Sequence, residues 1–506
     1  MGMRGVVAAG HPLTAEAGAS ILRDGGNAVD AAVAAVMASF SLESALTGLG
    51  AGGFMIVGAP GEDPVLLDFF VAAPGHGEQE RREELLPVPV HFDENTSQIF
   101  NTGAASCGVP GVAAGLDRAL EMFGSVGLED LITPGVRFAR EGAPLNREQA
   151  YVLRILEPIY TGTQAAREIY APQGRILREG ESFCYPDLAL ALERFAAEGS
   201  QAFYSGEVAG QIEDYVTDLG GVLSRADLAA YEVIERKPVS SSYLDHDVFT
   251  NPPPSAGGLL VAFCLTLLER MGRSGIGEMA RVMASANAAR GSGFAERLEE
   301  EGFESSFLAP ETIDRDLTSD HDNLGSTTHL CAMDGDGLCA SVTCSNGTGS
   351  GLVVPGTGIH LNNMLGEEDL NPLGFHMAPP GSRVSSMMAP TIVKSGQEVV
   401  AGLGSAGSNR IRSAVLQTTA NLLDHHFSPQ EAVDAGRIHL EGGLLQAEPG
   451  VDPKALEMLE QAGQKVFRWQ EKNLFFGGVQ VVTRDPGTGR LDGGGDPRRG
   501  GAVVHA

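Results

Sequence analysis

Two spacings of apolar residues alternate along this chain. Near the amino end, residues 6–9 form a short apolar run that reads as a strand. Residues 12–24 and 28–41 carry apolar side chains three and four apart and read as helices parted by Gly25-Gly26. Residues 54–57 and 65–69 read as strands around the turn Gly61-Glu62-Asp63-Pro64. Helical spacing then dominates, at 113–123, 128–141, 188–198, 206–218, 258–271 and 281–300. Ser224-Arg225-Ala226-Asp227 has the form of a capping box, and Val248-Phe249 is a short strand ahead of three prolines. Between Glu299 and Asn323 the periodicity is lost while acids, Ser and Thr accumulate, the composition of a linker or flexible arm. An alternating run from Cys331 to Ser345 follows, broken once at Asp334-Gly335-Asp336-Gly337, and an Asp-Gly break between alternating segments predicts a β-hairpin. Strands at 399–401, 479–482 and 502–504 and helices at 408–425, 429–436 and 453–462 complete the pattern. Long helices flanking paired antiparallel strands predict an α+β layered fold.

Composition narrows the function classes. The 506 residues suffice for a large core, and a net charge of −30 opposes phosphate backbones, so no nucleic-acid partner is expected. Six cysteines in so long a chain do not form a disulfide framework. Cys339 and Cys344 fall on opposite faces of one strand, which disfavours a metal site there, and His-Glu-x-x-His does not occur, so no metal is expected. The apolar stretch 28–42 is too short for a membrane span, and no charged segment with a long apolar core opens the chain. The expectation is a cytoplasmic protein without a membrane partner.

The chemistry centres on Gly325-Ser326-Thr327-Thr328-His329-Leu330, where the acidic segment enters the hairpin. Alone, Thr327 is an ordinary strand threonine. In this setting the run resembles the signature of the gamma-glutamyltransferase family of N-terminal nucleophile hydrolases. Further motifs carry the resemblance: Gly25-Gly26-Asn27-Ala28-Val29-Asp30, Pro252-Pro253-Pro254-Ser255-Ala256-Gly257-Gly258, Leu361-Asn362-Asn363, Ser385-Ser386-Met387-Met388-Ala389-Pro390-Thr391, Gly404-Ser405-Ala406-Gly407-Ser408-Asn409-Arg410 and Asp496-Pro497-Arg498-Arg499-Gly500-Gly501. They occur in order over nearly the whole chain. The resemblance implies a four-layer αββα sandwich and self-cleavage between Ser326 and Thr327. It implies a heterodimer of the chain's own fragments, 1–326 and 327–506, acting on a small acyl amide with water or an amine as acceptor and no cofactor. A threonine hydroxyl is a weak nucleophile, and only as a chain end does Thr327 carry a free amine, with pKa near ~8, to act as its base. By the same resemblance Ser345 hydrogen-bonds the nucleophile, and the backbone amides of Gly407 and Ser408 receive the oxyanion. Asn346, Glu367 and Ser386 contact substrate. Asn346 equally fits a plain Ser-Asn-Gly turn, and His329 either a structural or a catalytic role.

The motif departs from the family where a glutamyl group would be gripped. The arginine after Asp-Phe is Phe70, a carboxylate-pocket serine is Met387, and the glutamine near the amine is Met364, leaving Arg383 as a possible substitute guanidinium. Burying an unpaired carboxylate costs several kcal/mol, so this pattern predicts retained hydrolytic machinery with a more apolar or glutaryl-like acyl group, as in related acylases. Two alternatives stay open: a non-catalytic binding relative, and a dinucleotide-dependent enzyme built on Gly402-x-Gly404-x-x-Gly407. Gly48-x-Gly50-x-x-Gly53 matches the same fingerprint but follows a helix and precedes a strand.

Overall fold

The computed structural model describes residues 4–77, 80–91, 97–291, 293–309 and 327–506. Two antiparallel sheets carry the site. In the first, seven strands run in the order Ala502–His505, Gly5–Ala9, Thr328–Asp334, Cys339–Ser345, Gly52–Gly58, Val65–Phe69 and Ile234–Arg236. In the second, six strands run Leu491–Gly495, Gly478–Arg484, Glu398–Ala406, Thr391–Ser395, His246–Thr250 and Val239–Tyr243. Thr328–Asp334 lies over Glu398–Ala406 and Gly478–Arg484, so the sheets stack face to face.

Because successive side chains of a strand point to opposite faces, the central strands feed two separate cores. Val7, Ala9, Leu330, Ala332 and Val342 join a core with the helices Pro12–Asp24 and Ala28–Leu42. Val6, Ala8, Cys331, Met333 and Cys339 join a second core with the other sheet and the helices Ala256–Met271 and Arg410–Leu423. Burial on both faces is why residues 6–9 read as a continuous apolar run. The Ala28–Leu42 helix is buried along its whole length, and its start is held by a reciprocal cap between Asn27 and Asp30.

The structure alters four sequence expectations. Pro134, with no N–H to donate, starts a new helix, so 128–141 divides into Leu128–Leu131 and Thr133–Glu141. The helix predicted over 281–300 is Ile276–Ala289, and a short turn, Phe294–Arg297, follows it. The predicted arm, 299–323, is not structureless throughout, because Phe303–Phe307 is helical and packs with Phe263 and Phe294. The remainder of that arm, and Ser326, lie outside the described residues. Finally, the strand predicted over 399–401 runs on to Ala406 through the glycine stretch. Gly402 is paired on both sides within the sheet and Gly404 with Gln480, and a Cβ on Gly404 would lie 2.3 Å from a carbon of the His329 ring. These glycines let the two sheets approach and form no phosphate loop, which removes the geometric basis of a dinucleotide site there.

Candidate active site

The hairpin brings the first two residues together. Its turn is closed by the Asp334 N–H donating to the Leu338 carbonyl at 3.0 Å, and the Asp334 carboxylate accepts the Asp336 and Leu338 N–H groups at 3.1 Å each. That closure pairs Thr328 with Cys344, so one step further the register sets Thr327 opposite Ser345. Both line a pocket at the open end of the stacked sheets, together with Phe70, Glu367, Ser386 and Ser408. Thr327 itself is only 5% exposed. Six of the eight expected site residues that lie among the described residues therefore meet in one cavity. Gly347, Met364, Asp369, Met387 and Ile411 complete much of its wall.

The support behind Thr327 was not legible in the sequence. Arg499 Nη1 donates to the Thr327 carbonyl at 3.3 Å. Thr328 Oγ1 donates to the carboxylate of Glu43, which also accepts from Thr14 Oγ1 at 2.9 Å. Burial pushes the Glu43 carboxyl above its ordinary range, with these hydroxyls and Arg499 opposing. His329 turns between the sheets, its Nδ1 2.8 Å from Thr343 Oγ1 and its Nε2 3.1 Å from Cys331 Sγ. Burial lowers its pKa to about 3, which keeps the ring neutral.

The facing wall comes from the end of Glu398–Ala406. Gly407 and Ser408 turn the chain into the Arg410–Leu423 helix with φ of 120° and 51°. Amides at a helix start suit a developing negative charge. Ser408 is a non-glycine residue in the left-handed region, and its Oγ donates to Asp369, a pocket residue the sequence reading passed over. Asp369 was signalled only by its place in the acidic run Glu367-Glu368-Asp369. Burial raises the pKa of Glu367, the charge of Asp369 adds to that, and burial raises Asp369 as well. The loop bearing Glu367 is pinned by two buried asparagines: Asn362 Nδ2 donates to the Gly50 and Gly108 carbonyls at 2.9 and 3.0 Å, and Asn363 Nδ2 to Thr348 Oγ1 at 2.9 Å.

Two expected residues stand apart. Asn346 is fully buried beside Gly48 and is not among the pocket-lining residues, while Gly407 contributes backbone next to the pocket. Arg383 does not supply the missing guanidinium. Its Nε donates to Asp68 Oδ1 at 3.2 Å, it also donates to the Asp68 and Glu232 carbonyls, and its guanidinium carbon lies 4.6 Å from the centre of the Tyr231 ring. Phe70 stacks on Phe54 with ring centres 5.3 Å apart and presents an apolar wall. Among the described residues no group of three His, Cys, Asp or Glu is arranged to hold a metal ion, and no helix is long and apolar enough to cross a membrane.

Comparison with known proteins places this geometry in context. A family model described as gamma-glutamyltranspeptidase matches residues 14–506. The glutathione hydrolase proenzyme of Escherichia coli is 30% identical, over 98% of this chain and 90% of that protein. The acylase ACY 1 proenzyme of Pseudomonas sp. (strain SE83) is also 30% identical, over 99% of this chain and 94% of its own length. The crystal structure of cephalosporin acylase from Bacillus halodurans superposes with a TM-score of 0.83 at 27% identity, covering 99% of this chain and 96% of that one.

Proposed function

Because the chain belongs to the gamma-glutamyltranspeptidase family, we propose that it is a self-processing threonine amidohydrolase or acyltransferase. Cleavage between Ser326 and Thr327 leaves fragments 1–326 and 327–506 as an intertwined heterodimer with αββα layering, and the protein works in the cytoplasm. The new Thr327 amine takes the proton of its own hydroxyl, and the oxygen attacks the amide carbonyl. Ser345, across the hairpin, hydrogen-bonds that oxygen. The amides of Gly407 and Ser408 receive the oxyanion, the amine leaves, and water or an amine resolves the ester. The observation that carries the reading is the meeting of Thr327, Ser345 and Ser408 in one pocket. The proenzyme names of both relatives above support self-processing.

For the acyl group, Phe70, Met364 and Met387 supply apolar wall, and Arg383 is held by Asp68. A free α-carboxylate therefore lacks a guanidinium partner, and the pocket favours acyl groups without one, such as glutaryl, with Ser386 and Glu367 as its polar contacts. Wild-type protein should run as two fragments and Thr327→Ala as one, with the smaller fragment sequencing as Thr-Thr-His-Leu. Glutaryl 4-nitroanilide should be turned over at least as well as the γ-glutamyl compound. An uncut wild-type chain, or strict preference for γ-glutamyl, refutes the respective half of the reading.

A further inference from the structure

A second and larger cavity adjoins the Thr327 pocket, and the two share Asp369 and Met387 as common wall. Away from that junction it is lined by Arg290, Asn287, Phe294 and Glu441. Arg290 ends the Ile276–Ala289 helix with its side chain 23% exposed. Its closest charged partner is Glu441 Oε1, 3.7 Å from Nη1, which exceeds hydrogen-bond length, and it makes no closer side-chain polar contact among the described residues. The same Glu441 oxygen lies 3.8 Å from Arg412 Nη2, and both of those buried atoms lack a hydrogen-bond partner. The other Glu441 oxygen meets His439 Nε2 at 2.9 Å. A guanidinium has five donors, and a part-buried one ordinarily finds hydrogen-bond partners in the chain. Here the donors line a cavity that shares Asp369 and Met387 with the Thr327 pocket.

We propose that this cavity is a subsite for the amine half of the substrate, and that Arg290 reads a carboxylate on that amine. The inference rests on the acyl-transfer reading of the neighbouring pocket. With the acyl group held between Phe70 and Met387, the scissile nitrogen emerges at Asp369 and the rest of the amine runs toward Arg290. A planar carboxylate matches the guanidinium fork, and Glu441, 3.7 Å away on the same cavity wall, orients Arg290 without closing its donors. Arg290 is thus a specificity-determining residue that touches the leaving or accepting amine and takes no part in the proton transfers.

The test uses two glutaryl amides that differ by one carboxylate on the leaving amine: the 4-nitroanilide and the amide of 5-amino-2-nitrobenzoate. In wild type the carboxylated amide should have the higher kcat/KM. Arg290→Met should lower the ratio of carboxylated to neutral kcat/KM about tenfold or more, the size of a lost charge-assisted contact, and Arg290→Lys should recover part of it. In parallel, calorimetry with free 5-amino-2-nitrobenzoate should show saturable binding to processed wild type and at least about tenfold weaker binding to Arg290→Met. An unchanged ratio, no binding to wild type, or equal binding to the variant overturns the proposal. Were neither amide turned over, the acyl-transfer reading would fail while the titration still decided the subsite.

Discussion

Asp68 offers the sharpest quantitative test of why the acyl pocket lacks a guanidinium. Its carboxylate is fully buried, receives Arg236 Nε at 2.7 Å and Arg383 Nε at 3.2 Å, and accepts the Phe70 N–H at 3.0 Å. Asp68→Asn keeps the shape, removes the charge and leaves Arg383, whose side chain is 5% exposed, facing a neutral amide. Breaking a buried pair from one side costs about 3–5 kcal/mol, and since the asparagine oxygen still accepts one bond we expect about 3 kcal/mol. Arg236, at 22% exposure, can turn to water and adds little. The measurement is equilibrium urea unfolding in a Thr327→Ala background, so that every form is a single chain. Repeating it in Arg383→Met isolates the coupling: there Asp68→Asn should cost at least about 1 kcal/mol less. A cost below about 1 kcal/mol in the parent, or no coupling to Arg383, would mean that Arg383 is free to serve the pocket and that the apolar reading of the acyl site is wrong.

Other outcomes follow from single contacts. Gly404→Ala would force its new methyl carbon into the His329 ring, 2.3 Å away, and should lower stability by about 1–3 kcal/mol in the same unfolding assay, whereas a loop glycine would tolerate the change. At Ser408, with φ of 51°, the Gly variant should exceed the Ala variant in stability by about 1 kcal/mol, since both lose the contact to Asp369 and only Ala keeps the backbone cost. Glu367 has a raised folded-state pKa, so the native state holds its proton more tightly than the unfolded chain. Its contribution to stability is full below the ordinary value of 4.5 and is lost as pH rises through the raised one. Glu367→Gln should therefore gain on wild type between pH 5 and pH 9 in parallel unfolding curves, and a constant difference would contradict the burial argument.

Part of the candidate site's geometry was legible because it is local. The Asp334–Gly337 turn sets a hairpin register, and that register alone carries Thr327 across from Ser345. The helix that starts shortly after Gly407 was likewise legible from sequence. Asp369 was missed because an acidic triplet on an irregular segment does not say which carboxylate turns inward. Glu43 and Arg499 were missed because each reaches the Thr327 strand from a point hundreds of residues or a whole sheet away, leaving no periodicity to read. The glycine fingerprint at 402–407 misled in the opposite direction: a strand crossing tightly over a histidine ring demands the same residue as a phosphate loop does.

By itself the sequence determined the α+β class, the order of most elements and the hairpin, since each depends on neighbours a few positions apart. Only the tertiary structure decided where Arg383 spends its charge, that Asn346 is buried beside Gly48, and that a second cavity containing Arg290 adjoins the Thr327 pocket. Those outcomes depend on which distant groups are buried together. Desolvation and charge pairing act through space, and no spacing along the chain encodes them.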